Sequence, residues 1–456
     1  MLAKLHERLG DFWWYSLMIF CACRAADVLN AFVGLWLVPK YVDPSELGAV
    51  QPLAQFANFL AIPVAVFANT FRNELTRLSI ERAFGKLKTL MRGVFVATAV
   101  FLFLAIVVAR FVLPAFLERI RIVEGSLGLL IIAASFVGTV APIYSNALQA
   151  LKKFKAQAIL NIAGAPVRFA AMLVAMPFRA LSGYFVGQAA SPLFTIGASV
   201  VALRKELSAP AEIYWTRDIV RRFTRLFTLF LVGAVAGGVY MVVESTVLRQ
   251  RLPDIDSAGY YMATRFSEIA NLLAVTLSFT LFPFTAEKAA SGRDYRPLVL
   301  KALAVNAVFC LVLALFLGLF GRELLSLLPH GDKYAAYWWA IPWLVGMSFL
   351  GSVIGFFLTA EASANRFGFL KWMVPFDLAY PALLLLVTGY GYYAAYLPES
   401  WAAFLDAHNI RSLDTMLWWM TAATTIKAIG CLASWTAAGG NPHPRQSRPE
   451  LDIDQG

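Results

Sequence analysis

Twelve apolar runs, each long enough to cross a lipid bilayer and parted by mostly short polar links, leave this chain few ways to fold. They fall at about 13–38, 47–70, 89–112, 127–149, 157–177, 181–203, 224–249, 258–284, 298–320, 336–359, 369–389 and 416–437 of 456 residues. About 20 apolar residues at ~1.5 Å per residue cross the hydrocarbon core as a helix. In lipid the backbone must satisfy its own polar groups, so a succession of such runs becomes a bundle of helices. The composition agrees: 59% of the residues are hydrophobic and 15% charged, against about 25% charged in a soluble domain. We therefore expect an all-α polytopic membrane protein with 12 transmembrane helices. Pro63, Pro142, Pro166, Pro283, Pro342, Pro375 and Pro381 lie inside or at the ends of runs, where they kink membrane helices without forbidding them.

Charge placement orients the bundle. With the N-terminus in the cytoplasm, the even-numbered links and both termini hold 25 of the 39 Lys and Arg, and the odd-numbered links hold 10. That bias predicts cytoplasmic N- and C-termini and a multi-pass protein of a bacterial-type cytoplasmic (inner) membrane. It also accounts for the net charge of +11 without a nucleic-acid partner. No cleavable signal is expected, because the first run is too long for a signal h-region. The link from Tyr390 to Asp414 is the longest odd one, and its Tyr392, Tyr393, Tyr396, Trp401 and Phe404 suit a helix lying at the interface. The tail from Gly439 is polar and proline-rich, a composition that predicts disorder.

Several chemistries find no residues here. Cys21, Cys23, Cys310 and Cys431 all fall inside apolar runs. On a helix Cys21 and Cys23 point about 200° apart, so they cannot share a metal. His6, His330, His408 and His443 all lie outside the runs, which removes an intramembrane histidine relay or haem ligation. No GxxxxGK[ST] loop, HExxH pair or large extramembrane domain occurs, so neither an enzyme nor an ATP-driven machine is expected. No cofactor and no metal site is predicted.

The two halves echo each other. Asp43-Pro44-Ser45-Glu46-Leu47-Gly48 joins runs 1 and 2, and Asp254-Ile255-Asp256-Ser257-Ala258-Gly259 joins runs 7 and 8; the Asp and the Gly recur at an offset of 211. Lys153-Phe154 after run 4 recurs as Arg366-Phe367 after run 10, at an offset of 213. Two six-helix lobes follow, related by a pseudo-two-fold along the membrane normal, an arrangement that sets the substrate path between the halves. The expected divisions are an N-terminal lobe over 1–205, a cytoplasmic linker over 206–223, a C-terminal lobe over 224–438 and a disordered tail over 439–456.

Charges inside the runs mark function by default, since each costs roughly 2.5–3.5 kcal/mol on insertion scales. Arg24 and Asp27 in run 1 share a helix face, as do Arg265 and Glu268 in run 8. Each pair is either self-neutralising or part of a site. Arg168 in run 5 and Lys427 in run 12 have no acid one turn away on their own helix. Glu244 and Asp377 likewise lack an intrahelical cation. Gln51, Gln55, Asn58 and Asn69 in run 2 fall within about 60° of one another at 100° per residue, a polar stripe that must face protein or water.

The links carry a family resemblance. Tyr41-Val42-Asp43-Pro44-Ser45-Glu46-Leu47-Gly48 resembles the turn after the first helix of polysaccharide flippases in the multidrug/oligosaccharidyl-lipid/polysaccharide (MOP) exporter superfamily. Ala147-Leu148-Gln149-Ala150-Leu151-Lys152-Lys153-Phe154 is similar to that family's turn after helix 4, Ala258-Gly259-Tyr260-Tyr261 to the start of its helix 8, and Phe282-Pro283 to that helix's end. The family often has an Asp late in helix 7 followed by a basic residue; here Glu244 precedes Ser245.

The resemblance implies a flippase that moves a polyprenyl-pyrophosphate-linked oligosaccharide to the outer leaflet by alternating access, for cell-surface polysaccharide biosynthesis. Membrane lipids, and a polysaccharide polymerase or glycosyltransferases, would be its partners. On that reading Arg24, Arg168, Arg265 and Lys427 are the cavity cations for pyrophosphate, and Gln51, Gln55, Asn58 and Asn69 line the cavity. Asp27, Glu244, Glu268 and Asp377 are then candidates for binding a coupling proton or ion. The rival reading is an ion-coupled, multidrug-type antiporter of the same superfamily.

Overall fold

The computed structural model describes residues 26–122, 125–151, 153–290, 293–363, 368–389, 398–407 and 409–437. Arg24, Cys21, Cys23, the Arg366-Phe367 echo, Tyr392, Tyr393, Tyr396 and the tail lie outside the described residues, as does the side chain of Asn69.

Among the described residues twelve helices correspond to the twelve runs. They are α1 (26–41), α2 (Val50–Ile80), α3 (Phe84–Arg119), α4 (Gly125–Ala150), α5 (Phe154–Ala175), α6 (Ala180–Ala202), α7 (Arg217–Arg251), α8 (Asp254–Ala290), α9 (Arg296–Ser326), α10 (Ala340–Ser363), α11 (Leu370–Gly389) and α12 (Leu413–Ala437). Ten of them are long and apolar enough to cross a membrane; α1 and α8 are not among those ten. The all-α expectation holds. Prolines inside α2, α4 and α5 (Pro63, Pro142 and Pro166) are accommodated, as are Pro114 in α3 and Pro192 in α6.

Local chemistry explains the irregular points. In α1 the turn Val33–Leu37 is a π-helix in which the Val38 amide bonds to the Val33 carbonyl, just before Pro39. A proline cannot donate the next bond of the ladder, and the widened turn absorbs the mismatch. Two residues beyond the end of α3, Arg121 turns the chain with a left-handed φ of 61°. Its amide reaches the Glu118 carbonyl at 3.0 Å, and Ile122 reaches Leu117 at 2.9 Å, a C-terminal cap that a non-glycine residue adopts only under tertiary support.

Two compact units emerge. The first comprises Met1–Phe266, Gly321–Trp338 and Asp377–Met416, and the second comprises Ser267–Phe320, Trp339–Phe376 and Leu417–Gly456. In the first, α2 packs on α3, α4 and α7, and α6 packs on α4 and α5. A core of Leu78, Leu87, Leu90, Val94, Leu148 and Tyr214 closes the end of this bundle beside the 2–3 and 6–7 links. In the second, Leu281, Val299, Phe356, Phe357 and Cys431 form the core. Phe103 and Phe111 of α3 and Leu311 and Leu319 of α9 are exposed, as residues facing lipid tails must be.

The segment between α6 and α7 is held along its length. Lys153 bonds to Glu206 at 2.8 Å and to the Ala202 carbonyl at 2.6 Å. Lys88 reaches the Ala209 carbonyl at 3.0 Å, and Thr89 reaches the Glu212 carbonyl at 2.7 Å. A Cβ on Gly85 would sit 2.4 Å from the Pro210 carbonyl oxygen, so that glycine gives the strap its seat. From Arg217 onward the chain is already α7.

Candidate functional site

One concentration of intramembrane polarity among the described residues lies on α5 and α6. Gln157, Asn161, Gly164 and Arg168 follow one another at steps of four, three and four on α5. Tyr184, Gln188, Ser191 and Thr195 do the same on α6. Each set occupies one helix face, and the two helices pack against each other. Arg168 Nη1 donates to Gln188 Oε1 at 3.3 Å, and Gln188 Nε2 donates to the Tyr184 hydroxyl at 2.9 Å. A Cβ on Gly164 would stand 2.9 Å from Ser191 Oγ. Gln157 donates to Asn161 Oδ1 at 3.0 Å. The result is a half-buried polar seam between two apolar helices.

Close approach of the two helices makes the seam possible. A Cβ on Gly183 would meet the Met176 amide nitrogen at 2.5 Å, and one on Gly187 would meet Met172 Cγ at 2.1 Å. Small residues that let backbones approach are the usual means of joining helices in lipid. The seam also draws in α1, because Asp27 acts on the charge of Arg168. The sequence left Arg168 without an acid on its own helix; the fold supplies one from another helix. A guanidinium has five N–H donors in a planar fork, and the bond to Gln188 uses one of them.

A second polar cluster joins α7, α8 and α11. Glu244 of α7 acts on the Tyr380 hydroxyl, as do Tyr240 and Tyr260. The rings of Tyr240 and Tyr380 lie 5.0 Å apart. Asp377 is fully buried, its Oδ2 3.8 Å from where a Cβ of Gly237 would stand. Glu244 and Asp377, far apart in sequence, thus belong to one neighbourhood built on Gly237, Tyr240 and Glu244 of α7.

The other expected site residues are more scattered. Arg265 lies over the Tyr261 ring at 4.7 Å, and its Cδ would be 2.9 Å from a Cβ on Gly34, in the π-turn of α1. Its helix neighbour Glu268 is exposed. Lys427 is half-buried on α12. On α2, Gln51 and Gln55 are half-buried and Asn58 is exposed.

The sequence reading passed over the amides and hydroxyls of α5 and α6, although their regular spacing was visible. It also passed over Glu361, buried on α10 with its Oε1 accepting from the Tyr295 hydroxyl at 2.8 Å, and Asn306, buried and bonded to Ser352 at 3.0 Å. Among the described residues no cluster of three or more His, Cys, Asp or Glu could hold a metal.

These features define a polytopic membrane bundle of the two-lobe, twelve-helix class. Solved structures carry the comparison further. An inward-facing multidrug-resistance MATE-family transporter of the MOP superfamily matches with a TM-score of 0.61 at 11% identity, over 90% of this chain and 95% of its own. The lipid II flippase MurJ in an inward closed conformation matches with a TM-score of 0.62 at 12% identity, over 92% of this chain and 87% of its own. A MOP-superfamily transporter from Pyrococcus furiosus, described as having a binding pocket of reversed polarity, matches with a TM-score of 0.59 at 10% identity, over 92% and 93%. The fold is that of the MOP-superfamily transporters. No protein-family model and no curated protein matches the sequence significantly.

Proposed function

We propose that the protein is a flippase for a lipid-linked oligosaccharide, carrying the pyrophosphate-sugar headgroup from the cytoplasmic to the outer leaflet while the polyprenyl tail stays in lipid. One observation carries the reading: a half-buried Arg168, bonded to the neutral Gln188, which Tyr184 in turn braces, on a polar seam between two membrane helices. A neutral amide orients the fork, and a guanidinium grips phosphate oxygens in pairs. Arg24, Arg265 and Lys427 would add to the attraction. Asp27 would hold Arg168 between turnovers and yield it to the incoming anion.

The Glu244–Asp377 neighbourhood would bind the proton or ion that drives reorientation, with Tyr380 and Tyr240 as hydrogen-bonding relays. The same acids favour a second reading, a cation-coupled antiporter for small molecules. The discriminating experiment complements a deletion strain. Wild-type protein should restore surface polysaccharide, and Arg168→Ala should cut it about 100-fold or more at unchanged abundance, since a charged contact to a transported anion is worth several kcal/mol. Normal polysaccharide in the deletion strain, with raised drug susceptibility, would replace this reading with the antiporter.

A further inference from the structure

The 1–2, 3–4 and 7–8 links and the end of α11 meet through backbone carbonyls, and arginines do the joining. Arg121, in the 3–4 link, donates to the Gln250 carbonyl at 2.9 Å, approaches the Leu252 carbonyl at 3.5 Å, and pairs with Asp254 at 2.6 Å. In return Arg249, in the last turn of α7, donates to the Ile120 carbonyl at 3.2 Å and to the Ser45 carbonyl at 2.5 Å, and pairs with Asp254 at 3.0 Å. Arg251 bonds to the Thr388 carbonyl at the end of α11.

Each arginine thus satisfies the orphan carbonyls at the C-terminal end of a helix or turn other than its own. The favourable meeting of a cation with the negative end of a helix adds to each bond. The two echoing hexapeptides mate at the same place. A Cβ on Gly48 would stand 2.4 Å from Ser257 Cβ and 3.1 Å from Arg249 Nη1, and Ser257 is 1% exposed.

We propose that these crossed arginine caps are the latch that closes the outer ends of the helices, and that its release opens the transport path outward. The proposal rests on the alternating-access reading above and on the orientation given by the positive-inside count. The bonds suit a reversible contact. Asp254 and Arg121 keep 41% and 45% of their side-chain surface in solvent, so water can replace each of their bonds as the links part. Exchanging protein–protein for protein–water hydrogen bonds leaves a small net difference, which is what a two-state element needs. At the mating point Gly48 leaves room for Ser257, so the two turns approach closely.

Ser257→Cys tests the latch in the full-length protein, with the four native cysteines replaced by alanine. In right-side-out vesicles, a membrane-impermeant maleimide should label Cys at 257 slowly in the otherwise wild-type chain. Arg121→Ala, at a half-exposed position, should raise the labelling rate about tenfold, and Asp254→Asn should raise it further. An unchanged rate in Arg121→Ala and Asp254→Asn overturns the proposal. So does rapid labelling of the wild-type chain, or labelling only from the opposite side. The readout involves no substrate, so it fails with the latch and not with the choice of lipid-linked sugar.

Discussion

Arg168 and Arg249 are both drawn away from solvent in the same compact unit, yet they are held in opposite ways. Arg168 has a side-chain amide at 3.3 Å and an acid within electrostatic reach, and among the described residues it bonds to no backbone carbonyl. Arg249, 1% exposed, has two backbone carbonyls and a carboxylate within 3.2 Å. The first arrangement orients a guanidinium and spares its donors. The second spends them on joining chain segments. Burial alone therefore does not mark an arginine as a substrate ligand; the nature of its partners does.

Thermal unfolding in detergent, followed by tryptophan fluorescence, gives the largest test of that contrast. Arg249→Ala strands two backbone carbonyls and removes the buried partner of the half-exposed Asp254, and should cost about 3 kcal/mol. Arg168→Ala leaves Gln188 bonded to Tyr184 and should change stability by no more than about 1 kcal/mol, while export falls. Equal destabilisation by the two changes would erase the distinction.

The same contrast explains what the sequence revealed. The run lengths and the Lys/Arg bias were enough to expect the bundle, because crossing lipid leaves the backbone no alternative. The echo of Asp43–Gly48 in Asp254–Gly259 marked two turns that prove to mate with each other. Arg168 stood out because it interrupts an apolar run. Arg249 did not, because it ends one; in sequence it is another basic residue on a link, and only the folded chain shows carbonyls from the 1–2 and 3–4 links around it. The electrostatic reach of Asp27 to Arg168, and the approach of Asp377 to Gly237 of Glu244's helix, are likewise relations between helices that no local pattern encodes. The α5 and α6 stripes were legible from spacing, but amides and hydroxyls carry no charge to draw attention.

The glycines of the α5–α6 hairpin sharpen the first half of the comparison. An added methyl at Gly183 meets backbone, at 2.5 Å from the Met176 amide nitrogen, whereas at Gly187 it meets the flexible Met172 side chain. Overpacking against backbone costs about 1–3 kcal/mol, and Met can move aside at smaller cost. Gly183→Ala should therefore destabilise by about 2 kcal/mol and lower export by displacing Gln188 from Arg168, with Gly187→Ala milder on both counts. If the two variants behave alike, the close approach of the hairpin does not position the seam.

The odd-link end offers the smallest effect and a sign to check. Tyr334 is fully buried between α9 and α10, and its hydroxyl has no hydrogen bond among the described residues. Burial, with Asp43 and Asp332 adding to it, raises its pKa above the ordinary 10.0. A raised value means that the folded protein holds the phenol proton to higher pH than the unfolded chain does. Stability is therefore undiminished below pH 10 and declines as the pH climbs past the unfolded value. Tyr334→Phe removes both the orphan hydroxyl and the titration. It should be neutral or stabilising by up to about 1 kcal/mol at pH 7, and it should flatten the alkaline decline in melting temperature. Losing stability at pH 7 would mean that the hydroxyl bonds into the arginine-capped links, enlarging the structural side of the comparison at the expense of the rest.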